Sequence, residues 1–108
     1  MPDPASLPER DENGFLRDRA SWSVEVARLL AAEESIVLGE EHLEVLRLLR
    51  DYHARHAHVP AMRALVNVVC RELGAVKGRS VYLLQLFPGS PARVAAKLAG
   101  LPKPEHCL

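Results

Sequence analysis

Aromatic residues are scarce in this chain: two Phe, two Tyr and one Trp, 5% of 108 residues. Leu, Val and Ala must therefore fill the core, and a hydrophobic fraction of 48% supplies enough of them. Net charge is also missing, with fourteen Lys and Arg against fourteen Asp and Glu. That balance argues against a protein that grips nucleic acid through bulk charge. The two cysteines, Cys70 and Cys107, make no disulfide framework and suit a reduced, cytoplasmic setting. No apolar run is long enough to cross a membrane, and the polar, Pro-bearing stretch Met1 to Asn13 lacks the apolar centre of a signal peptide. The length suits one domain with a modest core.

What is present reads mainly as helix. Pro2 to Arg10 is expected to be a loose leader (residues 1–10). Asn13-Gly14 matches the centre of a type I′ turn, which predicts a small β-hairpin returning through Phe15 and Leu16. Ser35 to Leu38, a short stretch with β-branched residues, is expected as a third strand of a meander. Ser21 is expected to cap a first helix whose stripe is Trp22, Val26, Leu29 and Leu30, with Trp22 as a core anchor rather than a stacking platform for a base. A second helix, from about Glu40 to Ala57, carries a broad apolar face and is expected to be central. Pro60 opens a third helix that Gly74 stops, and Ser80 caps a short fourth that Pro88 ends. Ala92 to Ala99 forms the last. The fold class is thus α+β, mostly helical: an orthogonal bundle of about five helices with an N-terminal hairpin or three-stranded meander and a C-terminal arm. Residues 1–100 form the single domain.

Three features bear on chemistry. His53, His56 and His58 crowd one helix end, but no cysteine or carboxylate at suitable spacing completes a metal set, so a solvated helix terminus is expected. Cys70 flanks the stripe of the third helix and reads as a buried or half-buried thiol. The tail, residues 101–108, follows Gly100 and contains Pro102 and Pro104, which cannot carry a helix further. It reads as a mobile arm able to hold Cys107 roughly 25 Å from its root. A frayed terminus with an incidental thiol fits the same composition.

The sequence Leu86-Phe87-Pro88-Gly89-Ser90-Pro91-Ala92, then Ala99-Gly100-Leu101-Pro102-Lys103-Pro104 and the penultimate Cys107, resembles the signature of the DsrC/TusE family of sulfur-relay proteins. Upstream pieces match in order: Gly14-Phe15-Leu16, Trp22, Glu40-Glu41-His42, Leu49-Arg50-Asp51-Tyr52, Pro60 with Arg63, and Lys77-Gly78 with Tyr82-Leu83. The resemblance implies a sulfurtransferase of the carrier kind, with Cys107 as the catalytic thiol that holds persulfide sulfur, and without metal or organic cofactor. It implies a sulfur donor like the TusBCD complex and a tRNA thiouridylase as acceptor, in a relay toward wobble-uridine 2-thiolation. The family's two-cysteine branch, which partners sulfite reductase or other sulfur-oxidation proteins, has a second cysteine where this chain has Ala96. That departure favours the single-cysteine, TusE-like branch.

Charged positions matching the family pattern, Arg50, Arg63, Lys77 and Lys103, with Arg79 nearby, are candidates to stabilise the anionic persulfide when the arm folds back. From a different class, the third and fourth helices around a Gly turn resemble a helix-turn-helix DNA-binding regulator. Its second helix offers base edges only Ser80, Tyr82 and Gln85 and is expected to be buried, so strong nucleic-acid binding is not expected.

Overall fold

The structure is a computed structural model that describes residues 7–104. Among them it is all-helical, which corrects the expected α+β class. The five helices are α1 (Val24–Glu33), α2 (Glu40–His56), α3 (Met62–Leu73), α4 (Ser80–Leu86) and α5 (Pro91–Leu98), with a single 3-10 turn at Arg19–Ser21 ahead of α1.

The expected hairpin is reduced to one antiparallel bridge, Arg10 with Leu16. Asp11 explains why the ladder stops. Its carboxylate accepts from the amides of Asn13 at 2.8 Å and Phe15 at 3.0 Å, making a local loop in place of strand pairing. Phe15 and Leu16 are then both buried, against the alternation of a strand. The third strand is absent for a related reason. The Ile36 amide returns to Ala31 O at 2.9 Å to close the end of α1, Ser35 turns at φ 60°, and Val37 projects into solvent.

Helix α1 begins later than expected. Ser23 caps it, accepting from the Val26 amide at 3.1 Å, while Ser21 donates its hydroxyl to Asp18 O. Trp22 therefore stands outside the helix. At the start of α2, His42 Nδ1 accepts from the Gly39 amide at 3.1 Å. Its Nε2 consequently carries the proton toward Leu86 O at 3.0 Å, tying α2 to the end of α4.

The hub is α5, where α2 was expected. This eight-residue helix packs against all four others, and Arg93 alone among its residues is not buried. Ala92, Ala95 and Ala96 let neighbouring backbones approach, while Val94 and Leu98 fill the gaps with Leu30, Leu46, Leu49, Leu65 and Phe87. Among the described residues the one buried cation is Lys97. Its Nζ lies 2.7 Å from Glu34 Oε2 and 3.2 Å from Glu33 Oε1, and Gly14 lies against its stem. Glu33 also pairs with Arg10 at 2.5 Å. Arg10 foremost, aided by Lys97, outweighs burial and holds the Glu33 carboxyl below its ordinary value.

Candidate functional site

The end of α5 is where the body hands the chain to its tail. Gly100 at φ 72° closes the helix with paired bonds, its own amide to Lys97 O at 3.1 Å and the Leu101 amide to Ala96 O at 3.0 Å. A Cβ at Gly100 would stand 2.6 Å from Trp22 Cδ1 and 2.9 Å from Trp22 Cβ, so the indole is packed closely against this backbone. Trp22 Nε1 donates to Leu98 O at 2.8 Å. Arg50, reaching across from α2, donates through Nη1 to Ala99 O at 2.8 Å and through Nη2 to Arg19 O at 3.1 Å. Its guanidinium stacks 4.4 Å from the Trp22 ring centroid.

These contacts satisfy carbonyls that a helix end leaves without partners, and they place a cation at the negative pole of α5. Burial, then the Arg19 charge, holds Arg50 below its usual value. Beyond the helix Leu101 is wholly buried and Pro104 is buried, while Pro102 and Lys103 line a shallow hollow with His53, Ala57, His58 and Val59. His53 Nδ1 is buried there without a hydrogen-bond partner among the described residues. Desolvation first, then Arg19, Arg50 and His58, pushes the His53 imidazole below its ordinary value.

Cys107, the expected sulfur-bearing thiol, lies outside the described residues, which end at Pro104. Of the cations proposed to serve it, Arg50 and Lys103 share this end of the molecule: Lys103 borders the hollow that His53 also lines, and Arg50 acts on His53 through its charge. Lys77 belongs to a separate groove with Glu40, Glu41, Glu44, Asp51 and Glu72, and pairs with Glu44 at 2.6 Å. That bond, more than the desolvation opposing it, raises the Lys77 ammonium above its usual value. Arg63 is exposed in the first turn of α3, and Arg79 is exposed just before α4. No cluster of three potential metal ligands occurs among the described residues. Tyr52, His56 and His58 instead group their rings, Tyr52 tilted against His56 with centroids 4.3 Å apart and edge-to-face with His58 at 5.4 Å.

Cys70 is exposed at the end of α3, not buried as expected. A Cβ at Gly78 would stand 2.3 Å from its Cα, so the turn toward α4 covers its backbone side and leaves the thiol outward. Helix α4 is also more open than expected, burying Leu83 while exposing Val81 and Leu84. That outward face pairs Val81 and Leu84 with only Ser80 and Gln85, and so presents few donors to base edges, unlike a recognition helix. The clamp of Trp22, Arg50 and Gly100 was not visible as a unit in the sequence. Its one local signal was a Gly immediately after a helix, since Arg50 and Ala99 are 49 positions apart.

The family of DsrC like proteins matches residues 6–108. Among characterised relatives, the sulfurtransferase TusE homolog of Haemophilus influenzae is 46% identical over 100 residues, covering 93% of this chain and 92% of its own length. Sulfurtransferase TusE of Escherichia coli strain K12 is 43% identical over the same extent. Among solved structures, the NMR structure of Allochromatium vinosum DsrC superposes with a TM-score of 0.83 at 41% identity, covering 91% of this chain and 88% of that one. The oxidized gamma-subunit of the dissimilatory sulfite reductase (DsrC) from Archaeoglobus fulgidus gives 0.79 at 39% identity, covering 94% and 92%.

Proposed function

The chain belongs to the DsrC-like protein family, and from that premise we propose that it is a sulfurtransferase of the carrier type, holding sulfur on Cys107. The observation that carries this reading is the extent of the match, which runs through residue 108 and so takes in the penultimate cysteine. Relatives covered over nine-tenths of their length bear the name sulfurtransferase.

The step is thiol-persulfide exchange. The Cys107 thiolate attacks the terminal sulfur of a donor persulfide; the new S–S bond forms as the donor's S–S bond breaks, and the donor leaves as its thiolate. Cys107 then presents Cys-S-S⁻ to an acceptor thiol, with no net change in oxidation state and no cofactor. Lys103, beyond the end of α5 from which the tail departs, is the cation best placed to favour the anion, while Arg50 is engaged with the Ala99 and Arg19 carbonyls. Arg63 and the Glu44-bound Lys77 lie elsewhere.

Within the family, the TusE-like role fits better: a donor of the TusBCD kind and a tRNA thiouridylase as acceptor. Ala96 supports this, because it is wholly buried in α5 and supplies no thiol where the two-cysteine branch has one. The test is complementation in Escherichia coli lacking its TusE, read as the 2-thiouridine content of tRNA. Restoration by this chain and not by Cys107→Ser supports the tRNA relay. A stably expressed chain that restores nothing would move the reading to a sulfite-reductase-type partner. No helix among the described residues is long and apolar enough to cross a membrane.

A further inference from the structure

We infer that Trp22 and Arg50 are positioning residues that set how far the tail can carry Cys107, an inference that rests on the sulfur-carrier reading above. The tail of eight residues after Gly100 is half committed to the body. Leu101 is wholly buried and Pro104 is buried, with Pro102 and Lys103 between them along the hollow of His53 and Val59. The three residues from Pro104 to Cys107 reach at most roughly 10 Å, whereas the six from Leu101 would reach roughly 20 Å.

What holds the shorter tether is the end of α5. The Leu98 and Ala99 carbonyls each take one side-chain donor, from Trp22 Nε1 and Arg50 Nη1, and the Arg50 guanidinium and the Gly100 backbone both rest on the indole. Without these donors the Leu98 and Ala99 carbonyls lose their side-chain partners, and the Gly100 and Leu101 amide bonds to Lys97 O and Ala96 O are left to direct Leu101 inward without that support. The tail then pivots from Gly100. Arg50 thus acts on the thiol through the root of the tail, and its bonds to Ala99 O and Arg19 O are directed at backbone, not at a ligand.

The experiment uses the full chain with Cys70→Ser and Cys107→Ser, a nitroxide on Lys103→Cys, exposed in the part of the tail held against the body, and a second on Gln85→Cys, an exposed site on α4. Double electron–electron resonance reads the spread of distances. The expected result is a narrow distribution that widens about twofold in Arg50→Gln and in Trp22→Phe, and to an intermediate width in Arg50→Lys, which can restore one carbonyl bond. Circular dichroism identifies any variant that fails to fold, and Trp22→Phe, which keeps an aromatic ring but loses the Nε1 donor with the five-membered ring that carries it, then decides. A distribution in the unsubstituted clamp already as wide as in the variants, or one that none of them changes, overturns the inference. Exposure of the unlabelled Cys70→Ser protein to inorganic tetrasulfide tests the underlying reading separately: Cys-S⁻ takes one sulfur from S4²⁻ and releases S3²⁻. Failure to load removes the carrier role, and the distance widths still decide the clamp.

Discussion

Gly100 tolerates substitution less than any other residue at the tail's root. Its φ of 72° is costly for an L side chain, and a Cβ would also meet Trp22 at 2.6 and 2.9 Å and Leu16 at 3.0 Å. Gly100→Ala is expected to cost about 3 kcal/mol, lowering Tm by roughly 12–20 °C. Gly89→Ala, with a similar φ of 91° but nothing within 4 Å, is expected to cost only about 1 kcal/mol. Denaturant midpoints of the two variants compare steric clash with torsional strain. His53 gives a pH dependence of definite sign. Its folded-state value is depressed, so the unfolded chain takes up a proton first as pH falls below about 6.5. The stability that neutral His53 provides is complete above that value and is lost as pH falls toward its lower folded value. His53→Gln is expected to flatten the slope of Tm against pH below about 6.5, and an unchanged slope would contradict the assignment.

At the scale of elements, α5 is the pin through the bundle and Lys97 is its charged end. Lys97→Met leaves Glu34 and Glu33 without their buried partner. The expected loss is about 2–4 kcal/mol, tempered because both glutamates keep some solvent contact. Because Gly14 rests on the Lys97 stem and Glu33 also holds Arg10, the same change is expected to speed amide exchange at Phe15 before the helices open. The helices themselves were legible in the sequence, through the Glu pair opening α2, Gly74 stopping α3 and Pro88 ending α4. The hairpin was not, because Asn13-Gly14 specifies a turn and cannot reveal that Asp11 takes the amides a ladder would need. The role of α5 was hidden by its brevity and its alanines, which signal little by periodicity and matter through how closely others approach. Arg50 stood among family-pattern charges; only the fold brings it to the Ala99 carbonyl.

At the scale of the whole molecule, the body is a helical platform whose centre, α5, ends where the tail begins. The chain's balanced charge and the exposed Val81 and Leu84 of α4 fit docking to proteins better than gripping of nucleic acid. Legibility of the site followed the same division: Cys107 was singled out from its place beyond Gly100 and two prolines, while the residues that hold its root are scattered from position 22 to 101 and converge only on folding. The most direct test of the central claim is the intact mass of the reduced protein, and of its Cys70→Ser and Cys107→Ser variants, after incubation with a cysteine desulfurase, cysteine and candidate relay proteins shown to be active. The account expects a gain of one sulfur atom that survives Cys70→Ser and disappears with Cys107→Ser; no gain in any form, or a gain that follows Cys70, would contradict it.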